Sequence, residues 1–189
     1  MTYYSLLLNL KNKKCLVIGG GRVAERKVRS LLKAEALIRV ISPTLTKGLS
    51  QLRGKKRILY TKSAYKKRFI KDSFLVIAAT SDKNTNSKLS LDAQSLGILT
   101  NVVDSPQESN FIVPASLQKK DLIISISTSG KAPALSKRIR KDLNKLLVPD
   151  YAKFLSILED IRSDLKLRCS EPKLRFRIMN YLASGKIEA

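Results

Sequence analysis

The sequence predicts an α/β fold: a mostly parallel sheet covered by helices, then a small strand-plus-helix segment, then a helical C-terminal region. Three observations point there. Short apolar runs alternate with amphipathic stretches through the first half of the chain, a triple glycine stands at the first junction between them, and the pattern changes character just past Asp104. Such alternation implies parallel strands joined by helical crossovers.

The first strand is Cys15-Leu16-Val17-Ile18, a continuous apolar run of the kind buried on both faces of a sheet. Gly19-Gly20-Gly21 ends it. Ala24, Val28, Leu31 and Leu32 then recur at helical spacing, with Arg22, Glu25, Arg26, Arg29 and Ser30 off the stripe. Ile38 to Ile41 reads as the second strand, stopped by Ser42-Pro43 because proline cannot donate to a ladder. A third, weaker strand is expected over Arg57 to Tyr60, a short helix over Tyr65 to Lys71, and a strand over Phe74 to Ala79. A helix from about Asn84 to Leu96 leads past Gly97 into a strand over Ile98 to Val103. Leu122 to Ser127 is a further strand, broken by Gly130, and Pro133 sits where a helix's first turn accepts proline. That helix carries Leu135, Ile139, Leu143, Leu146 and Leu147 on one face. After Pro149 come a long helix, striped by Tyr151, Phe154, Leu155, Leu158, Ile161 and Leu165, and a short one around Leu174 to Leu182. The expected division is 1–113, 114–147 and 148–189.

Composition narrows the function. Thirty-seven Lys plus Arg against 15 Asp plus Glu give a net charge of +22, a field that attracts polyanions. With neither zinc-finger spacing nor an aromatic-rich RNA-recognition motif, no nucleic acid is expected, and a polycarboxylate small molecule suits the charge equally well. Much of the lysine also reads as ordinary solvated surface. No apolar run approaches the roughly 18 residues of a transmembrane helix, and none resembles a signal peptide, so a cytoplasmic protein is expected. Cys15 and Cys169 lie far apart and suggest neither a metal site nor a disulfide framework.

The unit strand, glycine turn, helix, strand is that of a Rossmann-type dinucleotide-binding domain. Gly19-x-Gly21-x-x-Ala24 fits its fingerprint: Gly19 for the tight turn, Gly21 for close approach to a pyrophosphate, Ala24 for helix-to-strand packing. The helix N-terminus adds partial positive charge. Expected cofactor contacts are Gly19, Gly21, Arg22, Val23, Ala24, Ser42, Pro43 and Thr80, with NAD as the cofactor. Ser42 stands where an acidic residue would grip the ribose, and Arg22 and Arg39 would suit an extra phosphate, so these residues leave NAD against NADP open.

Five motifs, Gly19 to Lys27 (GGGRVAERK), Ala78 to Asp82 (AATSD), Asn101 to Asp104 (NVVD), Phe111 to Ala115 (FIVPA) and Ser127 to Pro133 (STSGKAP), together resemble the precorrin-2 dehydrogenase and sirohydrochlorin ferrochelatase family, including the N-terminal part of siroheme synthases. The resemblance covers about residues 1 to 147 in unbroken order. It implies NAD-dependent oxidation of precorrin-2 to sirohydrochlorin, an intertwined homodimer formed by the segment after the first domain, and in some members iron insertion. At this length no methyltransferase domain of a full siroheme synthase is expected. The aspartate closing Asn-Val-Val-Asp carries over as the catalytic residue, Asp104. Independently, Asp104 follows a strand's carboxyl end, where open α/β sheets bind ligands. Its carboxylate either accepts a proton or orients pyrrole nitrogens; an Asp two residues before Pro106 also caps turns.

Asn101, Thr128, Ser129, Lys131 and Arg138 are the expected contacts for a substrate rimmed with carboxylates. Ala132 replaces a serine common in the family before this proline, with a lost cap worth about 1 kcal/mol. The absence of histidine removes the commonest nitrogen ligand for iron, so no metal ligands are expected and a dehydrogenase without chelatase activity is favoured. Two rival readings are a non-catalytic NAD-sensing module and a basic nucleic-acid-binding protein. The first would not need Asp104; the second would bind DNA or RNA with steep salt dependence.

Overall fold

The computed structural model describes residues 3–146 and 150–184. The chain divides into two compact units, Met1–Val113 and Pro114–Ala189. In the first, five strands, β1 (Lys14–Ile18), β2 (Leu37–Ile41), β3 (Leu59–Thr61), β4 (Leu75–Ala78) and β5 (Leu99–Val102), form one sheet in the order β3-β2-β1-β4-β5. Every pairing is parallel: Cys15 opposes Ile38 and Leu75, and Val76 opposes Thr100. The connections carry α1 (Arg22–Lys33), α2 (Lys47–Gly54) and α3 (Lys83–Gln94).

Alternation along the strands divides the core in two. Cys15 and Val17 of β1, Val40 of β2 and Ile77 of β4 face Ala24, Val28 and Leu31 of α1 and Leu49 of α2. Leu16 and Ile18, with Val76, Ala78 and Val102, face Leu89 and Ala93 of α3 and Ile70. A strand buried on both faces must be apolar at every position, and β1 beyond Lys14 is. Cys15 is 1% exposed, and burial pushes its thiol up to about 11, so it serves as core.

Helix α2, the third strand and the segment 65–71 of this unit depart from the sequence pattern. Helix α2 was not legible because its glycines break any apolar stripe; it is fixed instead by its cap, Thr46 Oγ1 accepting from Leu49 N–H at 3.2 Å. The third strand begins at Leu59 and not Arg57, because Arg57 N–H is spent on Leu52 O at the end of α2. The helix expected over Tyr65 to Lys71 is a single 3-10 turn, Lys67–Ile70.

The second unit pairs β6 (Ala115–Lys119) with β7 (Leu122–Ile126) in a tight antiparallel hairpin, Lys119 opposite Leu122, with Lys120 at φ +50 in the turn. Strand β6 is mostly polar and gave no sequence signal. Three helices follow, α4 (Pro133–Leu146), α5 (Asp150–Arg168) and α6 (Pro172–Ala183). Leu147, Pro149 and the expected boundary at 147–148 lie outside the described residues. Among the described residues, no helix is long and apolar enough to cross a membrane.

Candidate active site

Because the strands are parallel, all their carboxyl ends lie on one edge, and the ladder continues into the loops there. Gly19 N–H donates to Ile41 O (2.9 Å), Ala79 N–H to Ile18 O (2.8 Å) and Val103 N–H to Ala78 O (2.9 Å). The glycine turn, the loop after β4 and the Asp104 turn are thereby registered against one another through backbone alone.

The three glycines do different things. Gly19 has φ +124, and a Cβ there would fall 2.3 Å from Ala79 O. At Gly20, whose need the fingerprint did not reveal, a Cβ would fall 1.8 Å from Thr44 O. The fold itself requires both. A Cβ on Gly21, in contrast, would meet nothing within 4 Å, so packing does not explain its missing side chain. Gly21 is also the N-cap of α1 and supplies no side-chain cap, leaving first-turn N–H groups without an intrahelical acceptor. Free space above unspent donors at a helix N-terminus fits a pyrophosphate. Ala24 is fully buried behind the turn, Val23 half-buried and Arg22 exposed.

Ser42 is buried, its carbonyl accepting from the Tyr60 hydroxyl at 2.9 Å, and Pro43 is exposed beside it. The loop that follows is stitched to the turn: Thr46 N–H donates to Gly20 O at 2.9 Å, and the Thr46 hydroxyl donates to Glu25 Oε2 at 2.5 Å. Arg29 donates to Glu25 Oε1 from Nε and Nη2. The Thr46 hydroxyl first, then Arg29, hold the Glu25 carboxyl below its ordinary range. A Cβ at Gly48 would strike this carboxylate at 2.0 Å, so Glu25 seats α1 against the start of α2. Thr80 is equally committed, donating to Asn86 Oδ1 at 2.7 Å while Asn86 Nδ2 donates back to Thr80 O.

Asp104 is exposed at φ +61, a left-handed conformation that Asp tolerates better than most residues. The segment after it is zipped to the free edge of β5. Buried Ser109 accepts from Val102 N–H (2.9 Å) and donates to Ser105 O (2.8 Å); Asn110 Oδ1 accepts from Thr100 N–H (2.8 Å) and its amide donates to Ile98 O (3.1 Å). Asn101, 7% exposed, donates to Phe111 O at 3.1 Å and accepts from Lys27 Nζ at 3.5 Å. Ser109, Asn110 and Lys27 carried no role in the sequence reading. Only Lys27 left a trace there, as a charged residue on the inward stripe Ala24, Val28, Leu31.

The other four candidates belong to the second unit. Thr128 Oγ1 accepts from Ala132 N–H at 3.0 Å and lies 3.2 Å from Ser136 Oγ, so threonine supplies a hydrogen bond at the helix start where Ala132 offers no side-chain cap. Ser129 stands at φ +53, Lys131 N–H donates to Thr128 O at 2.9 Å, and exposed Arg138 reaches Asp142 at 3.8 Å. Among the described residues no three Cys, Asp or Glu side chains gather as metal ligands.

Residues 6–115 match the family described as "Putative NAD(P)-binding", and residues 120–146 match "Sirohaem biosynthesis protein central". The chain is 33% identical over 186 residues to siroheme synthase 1 of Klebsiella pneumoniae, covering 98% of this chain and 40% of that protein. It is 36% identical over 165 residues to the siroheme synthase of Photobacterium profundum, covering 87% and 35%. The chain thus spans two fifths or less of the length of these curated relatives. Among solved structures, SirC, a precorrin-2 dehydrogenase, superposes with a TM-score of 0.79 at 24% identity, over 95% of this chain and 89% of that one.

Proposed function

The chain belongs to the family described as "Putative NAD(P)-binding", and from that premise we propose that it is an NAD-dependent dehydrogenase oxidising precorrin-2 to sirohydrochlorin in siroheme synthesis. The observation that carries this reading is a juxtaposition: on one sheet edge, a glycine turn with open space over Gly21 stands in backbone register with the turn that presents Asp104. Gly19, Gly21, Arg22, Val23 and Ala24 hold the pyrophosphate, Ser42 and Pro43 border the ribose, and Thr80 borders the cofactor from the loop after β4. Bound there, the oxidised nicotinamide supplies a two-electron acceptor. Asp104 takes the proton that the tetrapyrrole releases, its exposure leaving the carboxylate free to reach a pyrrole nitrogen. Asn101, with Thr128, Ser129, Lys131 and Arg138, contacts the substrate, whose carboxylates a protein of net charge +22 attracts.

The reading places the enzyme in the cytoplasm as a homodimer. What supports the dimer is exposed apolar surface in the second unit, including Ile123, Leu135 and Phe176. A dehydrogenase without chelatase activity remains the favoured form, since the sequence holds no histidine. Anaerobic incubation with precorrin-2 and either NAD or NADP tests the proposal: reduced nicotinamide and sirohydrochlorin are expected to rise together with NAD. Cofactor binding without turnover of precorrin-2 would support a sensing module instead.

A further inference from the structure

Lys27 is out of place by the ordinary logic of an amphipathic helix. It lies among Ala24, Val28 and Leu31, the residues that α1 buries against the sheet, and it is itself half-buried. Burial pushes its ammonium below the usual lysine range, the neighbouring Arg26 pushes the same way, and Asp104 opposes both. Asp104 acts on this charge only from a distance, and no carboxylate contacts it among the described residues. Among the described residues Lys27 enters no ion pair within 4 Å, and its hydrogen-bond partner is the neutral Asn101 Oδ1 at 3.5 Å. Asn101 is already anchored to Phe111 O, so it is a fixed acceptor and not an adaptable one. An ammonium has three donors, and a partly desolvated cation beside a neutral amide is left short of a counter-charge. A methionine would fill the same space at lower cost.

Two features give the placement a direction. The ammonium is held at Asn101, three residues before Asp104 on the same strand end, and Asp104 lies close enough to act on it electrostatically. A carboxylate in direct contact with this ammonium would therefore sit at the mouth of the proposed active site. We propose that Lys27 is a substrate-binding residue: its ammonium receives one carboxylate of the tetrapyrrole and so seats the ring against Asp104. This rests on the precorrin-2 dehydrogenase reading of the site.

The test compares wild type, Lys27→Met and Lys27→Arg in three measurements: steady-state kinetics with precorrin-2, NAD affinity, and binding of the product sirohydrochlorin followed by fluorescence. Lys27→Met is expected to raise KM and weaken sirohydrochlorin binding by about tenfold or more, the scale of a charge-assisted hydrogen bond. NAD affinity should stay within about twofold, and the melting temperature should hold or rise because a desolvated charge is removed. Lys27→Arg should recover most of the loss. If Lys27→Met leaves KM and sirohydrochlorin binding unchanged, or lowers melting temperature and NAD affinity together, Lys27 is a structural residue and the inference is wrong. A wild-type protein that neither turns over precorrin-2 nor binds sirohydrochlorin overturns the dehydrogenase reading, and the role of Lys27 with it.

Discussion

The two units of the chain solve the problem of burial differently. In the first, apolar residues of four of the five strands and of three helices are sealed on both faces of a sheet, with Val17, Val28, Val40 and Leu49 fully inaccessible. In the second, the buried apolar residue among those described is Leu117, at 8%, while Ile123, Leu135, Leu146, Tyr151, Ile157, Leu167 and Phe176 remain exposed. A two-stranded hairpin is marginal alone and needs a covering surface. The first unit thus has a core sealed on both faces of its sheet, and the second leaves most of its large apolar residues at least partly exposed.

The sharpest way to break that contrast is a substitution in each unit, a truncation in the first and a pair of charges in the second. Leu16→Ala should cost about 2–5 kcal/mol, the range for emptying a close-packed core, read by denaturant unfolding. Ile123→Asp combined with Leu135→Asp should leave the first unit's unfolding nearly untouched and convert the proposed dimer to monomers in sedimentation. A double variant that remains dimeric would remove the exposed apolar surface as an argument for assembly.

The same contrast governs what could be read from the residues. Strand β1 was legible because burial on both faces leaves a run with no polar interruption, and α1 because its stripe is clean apart from Lys27. Helix α2 was not, since its glycines interrupt any apolar stripe and its start rests on one threonine hydroxyl. Strand β6 carries little apolar pattern to read, and its pairing partner supplies the information. In the site, Gly19 and Gly21 were visible as a motif, whereas Gly20 depends on Thr44, which arrives from the next loop. Ser109 and Asn110 depend on contacts with a strand edge that only the folded chain brings to them.

Smaller effects sharpen the account of the first unit. Gly19→Ala places a side chain at φ +124 against Ala79 O, with about 1–3 kcal/mol of backbone strain before the clash is counted; calorimetric titration should show NAD affinity falling while the second unit's helices persist. Weaker still is the acid response of Glu25. Its carboxyl is held low in the folded state, so its contribution is present above the unfolded carboxylate range and fades as pH falls through the folded value. Thermal melts between roughly pH 3 and 6 should therefore show a shallower acid slope for Glu25→Gln than for wild type. Equal slopes would mean that the Thr46 and Arg29 contacts do not persist in solution.

The most direct test of the central claim is anaerobic turnover of precorrin-2 with NAD by wild type and Asp104→Asn, with NAD affinity measured on both. The account predicts that wild type forms sirohydrochlorin and reduced nicotinamide in equal amounts, while the variant binds NAD normally and loses about a hundred- to ten-thousandfold in kcat, as expected for a lost proton acceptor. Undiminished turnover by Asp104→Asn would contradict it.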